Sequence, residues 1–112
     1  MIFKNILVAA GLIGLFLVQP AEAGSLEAKK LKALFPGSFH AIVNGWAVKF
    51  TAHGDGSLVG RFKSKTDTGR WSIRSGQLCI TLTQWLGGRT ACSQVVQDGQ
   101  WYRADNVVFR KL

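Results

Sequence analysis

The chain has 112 residues, of which 14 are Lys or Arg, 6 are Asp or Glu and 2 are Cys, and its net charge is +8. This length predicts one small domain with a single hydrophobic core. The strong positive charge favours anionic partners over cationic partners.

The first 23 residues have the three-part pattern of a secretory signal peptide. Lys4 precedes an apolar run over residues 6–18, and Ala21 and Ala23 supply the small residues that a signal peptidase reads. An uncleaved membrane anchor is the alternative, but spanning a bilayer takes about 20 residues and this run is shorter. We therefore expect cleavage after Ala23, export to the periplasm or the medium, and no transmembrane segment in the mature chain.

The two cysteines, Cys79 and Cys92, are expected to form a disulfide bond, because an exported chain meets an oxidising compartment. Closing a loop of this length adds about 3 kcal/mol to the stability by restricting the unfolded chain. A redox pair or a metal site fits less well, since the spacing is not C-x-x-C and neither His40 nor His53 is close in sequence. The sequence predicts no metal and no cofactor.

Residues 24–37 predict a short helix followed by a linker. Ser25 is a suitable N-cap, Glu27 suits the positive end of the helix dipole, and Pro36 ends the segment. We expect the helix, over residues 25–35, to form a lid packed on the rest of the domain.

Residues 38–112 predict an all-β domain. Runs rich in Val, Ile, Phe, Trp and Thr alternate with residues that tolerate positive φ. The predicted strands are residues 38–43, 46–52, 57–62, 69–74, 77–84, 89–96, 100–104 and 107–111. Eight short antiparallel strands must protect their edges, which favours a closed or nearly closed meander barrel of the calycin or lipocalin-like type, with a β-sandwich as the alternative. Because the strands are short and their inward side chains large, little internal cavity is predicted.

Alternation along the second, third and fourth strands predicts a basic outer face. The apolar residues at alternate positions, including Trp46 and Trp71, are assigned to the core. The outward positions hold five cations and no acidic residue: Lys49, Arg61, Lys63, Arg70 and Arg74. Two interpretations stay open, an anion-binding face or the cations that surface strands often carry for solubility.

The strands that carry the cysteines have two possible registers. A two-residue glycine turn would place Cys79 opposite Val96, too far from Cys92 for a disulfide. If Cys79 faces Cys92, the connection widens to residues 84–87, and we prefer this register. It exposes Trp85 at a loop tip, which makes Trp85 the candidate exposed aromatic residue.

Catalytic chemistry has little support in the residue pattern. His40 and His53 have no flanking carboxylate, so structural roles are favoured over catalysis or metal binding. Residues 53–56 lack the further oxygen ligands of a calcium loop. The few carboxylates, mostly in predicted turns, do not supply the pair that glycoside hydrolysis needs. We therefore predict a protein that is not an enzyme and has no catalytic residue.

Several motifs along the chain resemble those of a known family. They are residues 35–39 (FPGSF), 55–60 (DGSLVG) and 69–73 (GRWSI), then Leu78-Cys79, Trp85, Cys92, Asp98-Gly99 and Tyr102. This G-x-W…L-C…C…D-G series resembles a family of small exported bacterial proteins of unknown function, mainly alphaproteobacterial. The resemblance implies a secreted, disulfide-bonded β domain and no particular activity.

These observations together predict a non-catalytic binding or interaction module. Its expected partner is an anionic component of the cell envelope, namely an anionic glycan, a lipid headgroup or an acidic protein, and nucleic acid is not expected. Inhibition of a hydrolase is the alternative, because small disulfide-bonded barrels of this size serve as inhibitors.

Overall fold

The computed structural model describes residues 26–112, which form one helix and nine strands in a nearly closed antiparallel barrel. The predicted all-β barrel with a short preceding helix is therefore confirmed. The predictions of a signal peptide over residues 1–23 and of an N-cap at Ser25 lie outside the described residues.

The helix, α1, spans Ala28–Leu34. It begins after Glu27, whose side chain makes no capping hydrogen bond. It ends before Phe35 because the residue that precedes a proline disfavours helical backbone. Leu31 is fully buried, whereas Lys29 and Lys32 are exposed, so α1 presents one apolar side to the barrel.

The nine strands agree closely with the predicted ones. They are β1 (Gly37–Val43), β2 (Trp46–Ala52), β3 (Ser57–Phe62), β4 (Lys65–Arg74), β5 (Gln77–Leu82), β6 (Thr90–Ser93), β7 (Val95–Asp98), β8 (Trp101–Ala104) and β9 (Val107–Lys111). Two predictions are wrong: the predicted strand over residues 89–96 is divided at Gln94 into β6 and β7, and residues 67–69, whose Asp-Thr-Gly run favours a turn, lie inside β4. The chain turns instead at Lys63 and Ser64, and Lys63 adopts a positive φ of 56°.

The sheet closes through one extended segment. In hydrogen-bonding order the strands are β6-β5-β4-β3-β2-β1-β9-β8-β7, so β6 and β7 stand at opposite edges. Yet only Gln94 separates them in sequence. Residues 90–98 therefore form one extended segment between the two edges of the sheet. Its first half, β6, pairs with β5, and its second half, β7, pairs with β8. The result is a ring of eight strand positions in simple meander order.

The two ends of the barrel differ. Because neighbouring strands are antiparallel, the connections after β1, β3, β5 and β8 lie at one end, here called the mouth. The other connections, the start of β1 and the end of β9 lie at the opposite end, here called the base. Helix α1 leads directly into β1, and its Leu31, together with Phe35, joins the core cluster. The base is thus closed by the segment that the sequence predicted as a lid.

Close packing fixes the path of β4 beside β5. Gly69 pairs with Leu82, and a Cβ atom at position 69 would overlap the carbonyl oxygen of Thr81. Further along β4, the indole N–H of Trp71 donates a hydrogen bond of 2.7 Å to the carbonyl of His53, while its ring packs 5.2 Å from that of Phe35. Trp71 therefore connects β4 to the turn at His53 and to Phe35 at the base, and it packs against the core as predicted.

Candidate functional site: an apolar cavity with an open mouth

The barrel encloses an apolar cavity of about 640 Å³. Side chains from β1, β2, β3, β5, β6, β8 and β9 form its wall, and the turn residues that line it, all at the mouth, are Asn44, Trp85, Leu86, Asp105 and Asn106. Phe35 lines it from the base side. The cavity corrects our expectation that large side chains would fill the interior. The internal volume of a barrel is set by the number and tilt of its strands, and not by their length alone.

An aromatic pair and a cation stand at the mouth. Trp46 begins β2 and is 56% exposed, although period-two alternation assigns it to the core. Its ring packs edge-on against Phe62 at 5.4 Å, and both rings line the cavity. The Nζ atom of Lys63 lies 5.3 Å from the centre of the Trp46 ring and 5.5 Å from that of Phe62. A positive charge is therefore held beside the opening by contacts of the cation–π type.

Trp85 contributes a second aromatic wall near the mouth. It lies in the connection between β5 and β6, is 36% exposed and lines the cavity. Its ring is packed edge-on against Phe50 at 6.4 Å and lies over Gly60. The candidate exposed aromatic residue is thus exposed on one side while its other side forms part of the cavity wall.

A buried carboxylate fixes the backbone beside Trp85. Asp67 is 3% exposed and accepts hydrogen bonds from the backbone N–H groups of Thr68 at 2.9 Å, Gln84 at 3.0 Å and Trp85 at 2.8 Å. Burial raises the pKa of Asp67, but the N–H donors of Trp85, Gln84 and Thr68 outweigh burial and leave the pKa below its ordinary value. The carboxylate therefore stays ionised and holds the loop that carries the indole.

Sequence reasoning missed the role of Asp67. The run Asp-Thr-Gly favours a turn, and an Asp in a turn needs no further explanation. An available signal was the position of Asp67 on the inward side of β4, in step with Gly69 and Trp71. An acidic residue on an apolar face must find partners for its charge.

The disulfide bond joins Cys79 to Cys92, as predicted. The two residues are direct cross-strand partners in β5 and β6, so the preferred register with the wider connection is confirmed. The connection is wider still than predicted and covers residues 83–89. Cys79 is buried and Cys92 is exposed. The bond attaches β6, the first half of the closing strand, to β5.

The predicted cations are distributed over three places. Lys49 and Arg61 are exposed cross-strand partners on β2 and β3, so these two lie side by side. Lys63 belongs to the mouth. Arg70 and Arg74 lie farther along β4, since Thr66 is the partner of Arg61 and Arg70 follows four residues later, about 13 Å away.

The two more distant arginines have local contacts. Arg70 donates a hydrogen bond of 3.2 Å to the carbonyl of Asp55, in the turn between β2 and β3. The hydroxyl and the N–H of Ser57 hold the pKa of the Asp55 carboxyl below its ordinary value. Arg74 approaches the Sγ atom of Cys92 at 3.9 Å. Both arginines therefore support structure near the base and the disulfide.

The histidines lie apart from each other and from the cavity. His40 points outward from β1, with its ring 6.1 Å from that of Trp101. His53 contributes its backbone to the turn before β3, where its carbonyl also accepts from Gly56. Within residues 26–112 no group of three His, Cys, Asp or Glu side chains is placed to hold a metal ion. No helix in that range is long and apolar enough to cross a membrane.

Comparison with family models, with curated proteins and with solved structures finds no match to this chain.

Proposed function

We propose that this is an exported, non-catalytic binding protein whose barrel holds a small amphiphile with an apolar body and an anionic head group. The apolar body lies in the cavity and the head group lies at the mouth. The observation that carries this proposal is the apolar cavity of about 640 Å³, which exposed turn residues line at the mouth. Its volume is within the range of sites that enclose small molecules, roughly 300–1,000 Å³.

The wall of the cavity supports an apolar ligand. Phe39, Val48, Leu58 and Leu78 are buried and line it. A ligand that covers this wall gains about 25 cal/mol for each Å² of apolar surface removed from water. No buried cation or carboxylate is among the residues that line it, so a polar group placed deep in the cavity would lose its hydration without an ionic partner.

The charge at the mouth supports an anionic head group. Lys63 lies over the rings of Trp46 and Phe62, within reach of a ligand that emerges between them. Asp105 is the acidic residue that lines the mouth, and it favours a head group placed towards Lys63. The chain as a whole carries a net charge of +8, which draws anions to its surface. The anionic envelope component predicted from the sequence would then be a lipid or a fatty acid released from it.

A displacement experiment tests the proposal. The protein is titrated with anilinonaphthalene sulfonate, an anionic apolar dye, and the bound dye is displaced by saturated fatty acids of increasing chain length. We expect affinity to rise with chain length until the cavity is full and then to level off. Matched fatty alcohols, which lack the charge, should bind more weakly. Dye binding that no fatty acid displaces would overturn the proposal.

Two variants distinguish binding in the cavity from binding on the outer surface of the barrel. Val48→Trp adds bulk inside the barrel, whereas Ala47→Trp adds the same ring at the neighbouring exposed position of β2. We expect the first to weaken fatty-acid binding at least about tenfold, or 1.4 kcal/mol, and the second to leave it unchanged. Ala104→Trp, at a half-buried position of the wall near the mouth, gives a second test if Val48→Trp fails to fold.

A further inference from the structure

The register of the sheet places four basic side chains in one continuous row on the outside of the barrel. Arg110 is the partner of His40, His40 of Lys49, and Lys49 of Arg61. These four residues, here called the cationic row, lie on the neighbouring strands β9, β1, β2 and β3. Adjacent strands are about 4.8 Å apart, so the row offers one basic group at each such step.

An aromatic ring extends the row at one end. Trp101 on β8 is half-buried, and its ring centre lies 5.6 Å from the Cζ atom of Arg110 and 6.1 Å from the ring centre of His40. The indole therefore lies on the outer wall in contact with the first two members of the cationic row. The basic face predicted from the sequence does not include Trp101, His40 or Arg110, and the strands of Trp101 and Arg110 are remote from β2 and β3 in sequence.

The surroundings of the row contain hydroxyl groups and no acid on the same strands. None of the four described strands that carry it contains Asp or Glu. Ser38 and Thr51 are cross-strand partners two residues from His40 and Lys49, and their hydroxyls lie 3.2 Å apart. Asp98, at the far edge of Trp101, is the nearest acidic partner by register. A ligand along the row thus meets cations, hydroxyls and one flat ring.

We propose that the cationic row with Trp101 binds a linear acidic polysaccharide. A basic group on each of four neighbouring strands, three of them the cations Lys49, Arg61 and Arg110, suits a chain polymer that repeats its acidic group, and the indole suits the apolar face of a sugar ring. The row crosses five of the eight strand positions when Trp101 is included, so it curves around the barrel. A flexible chain follows such a curve, whereas a flat bilayer cannot touch Trp101 and Arg61 together. This surface is separate from the cavity, and the inference does not depend on the proposed amphiphile.

The experiment uses alginate oligosaccharides, which carry a carboxylate on every sugar, with neutral dextran as the uncharged probe. Binding is measured by calorimetry at low salt and at about 0.5 M salt, where exposed charges are strongly screened. The expected result is binding of alginate at low salt, a clear loss at high salt and no binding of dextran. Alginate binding that is absent at low salt would overturn the proposal.

Charge-matched variants distinguish the row from the net charge. The double variant Lys49→Glu/Arg61→Glu removes half of the row, and Lys29→Glu/Arg89→Glu makes the same change in charge at exposed positions elsewhere. We expect the row variant to lose about tenfold or more in affinity and the control to lose much less, because screening limits distant charges. Equal losses in the two variants would show attraction by net charge alone and would overturn the assignment to the row.

Two further measurements identify the ligand that binds the cationic row. Trp101→Ala should weaken alginate binding while leaving its salt dependence similar, since the ring carries no charge. Vesicles containing phosphatidylglycerol serve as the competing partner. If they bind with the same loss in the Lys49→Glu/Arg61→Glu variant and alginate does not bind, the row serves a membrane surface and the polysaccharide proposal is wrong. The Val48→Trp variant should bind alginate normally, whatever it does to fatty acids.

Discussion

The indole ring of Trp85 lies directly over Gly60, so closely that a Cβ atom at position 60 would come within 2.6 Å of the ring atom Cζ3. Gly60 is buried on the inward side of β3, and Phe50 packs on the same ring from β2. The absence of a side chain at position 60 is therefore what lets the loop residue Trp85 become part of the cavity wall.

We expect Gly60→Ala to push the indole towards solvent. Such overpacking costs about 1–3 kcal/mol of stability, and the emission of Trp85 should shift to longer wavelength as its exposure rises. Gly54→Ala is the matched control, because the nearest heavy atom to a Cβ atom there is 4.0 Å away. Adding Trp85→Ala to Gly60→Ala should remove most of the penalty. A penalty that persists in the double variant would mean that the methyl group clashes with something other than the indole.

Asp67→Asn should loosen the loop that carries Trp85. The amide keeps one oxygen but turns an N–H group towards backbone donors at Gln84 and Trp85, which already point at this site. We expect the midpoint of thermal unfolding to fall by several degrees and hydrogen exchange to quicken in residues 83–89. Asp98→Asn, at an exposed position, is the control. If the two variants melt alike, the hydrogen bonds to Asp67 contribute little to stability.

The same carboxylate gives the stability a defined dependence on pH. The folded pKa of Asp67 is lower than the unfolded value of about 3.9. The contribution of Asp67 to the free energy of unfolding is therefore complete above the unfolded pKa. It is lost as the pH falls through the lower folded pKa. Unfolding by urea should become easier from about pH 4 downward, and Asp67→Asn should flatten this part of the profile. Asp55 adds a slope of the same sign, because its pKa is also lowered, so an unchanged profile in Asp67→Asn would assign the effect to Asp55.

The strand bounds could be predicted from the sequence because they depend on residues that are close together in the chain. The strands Trp46–Ala52 and Ser57–Phe62 are observed with their predicted bounds, because turn residues flank a clear period of two. The partners of Asp67 lie 17 and 18 residues away, and no local pattern reveals them.

Other features depend on the closed ring. Alternation placed Trp46 on the inward side correctly, but it carries no information on whether that position lies at the mouth or deep in the core. The cationic row joins β9 to β1, and this pairing exists only because the barrel closes. The cavity depends on the same closure, since its volume follows from the number and tilt of the strands.

Reduction of the disulfide should free the closing strand before the rest of the barrel. Cys79 and Cys92 connect β5 to β6, and the other edge of β6 has no strand partner among the described residues. We expect Cys79→Ala/Cys92→Ala to lose about 3 kcal/mol of stability. Hydrogen exchange should rise first in residues 90–98, while β1 and β2 stay protected. Uniform loss of protection across the barrel would show that the closing strand unfolds only together with the whole domain.

Helix α1, at the base, should contribute more to stability than its length suggests. Leu31 is the fully buried residue of α1 and belongs to the core cluster together with Phe35 and Phe39. Leu31→Ala is expected to cost about 2–5 kcal/mol, because it removes buried methyl groups and leaves a void in the core cluster. Lys32→Ala, at the next and exposed position, should change the stability little and serves as the control. The variant should also bind anilinonaphthalene sulfonate in greater amount, since the base no longer seals the apolar interior. If Leu31→Ala unfolds at the same urea concentration as Lys32→Ala, the helix does not close the barrel.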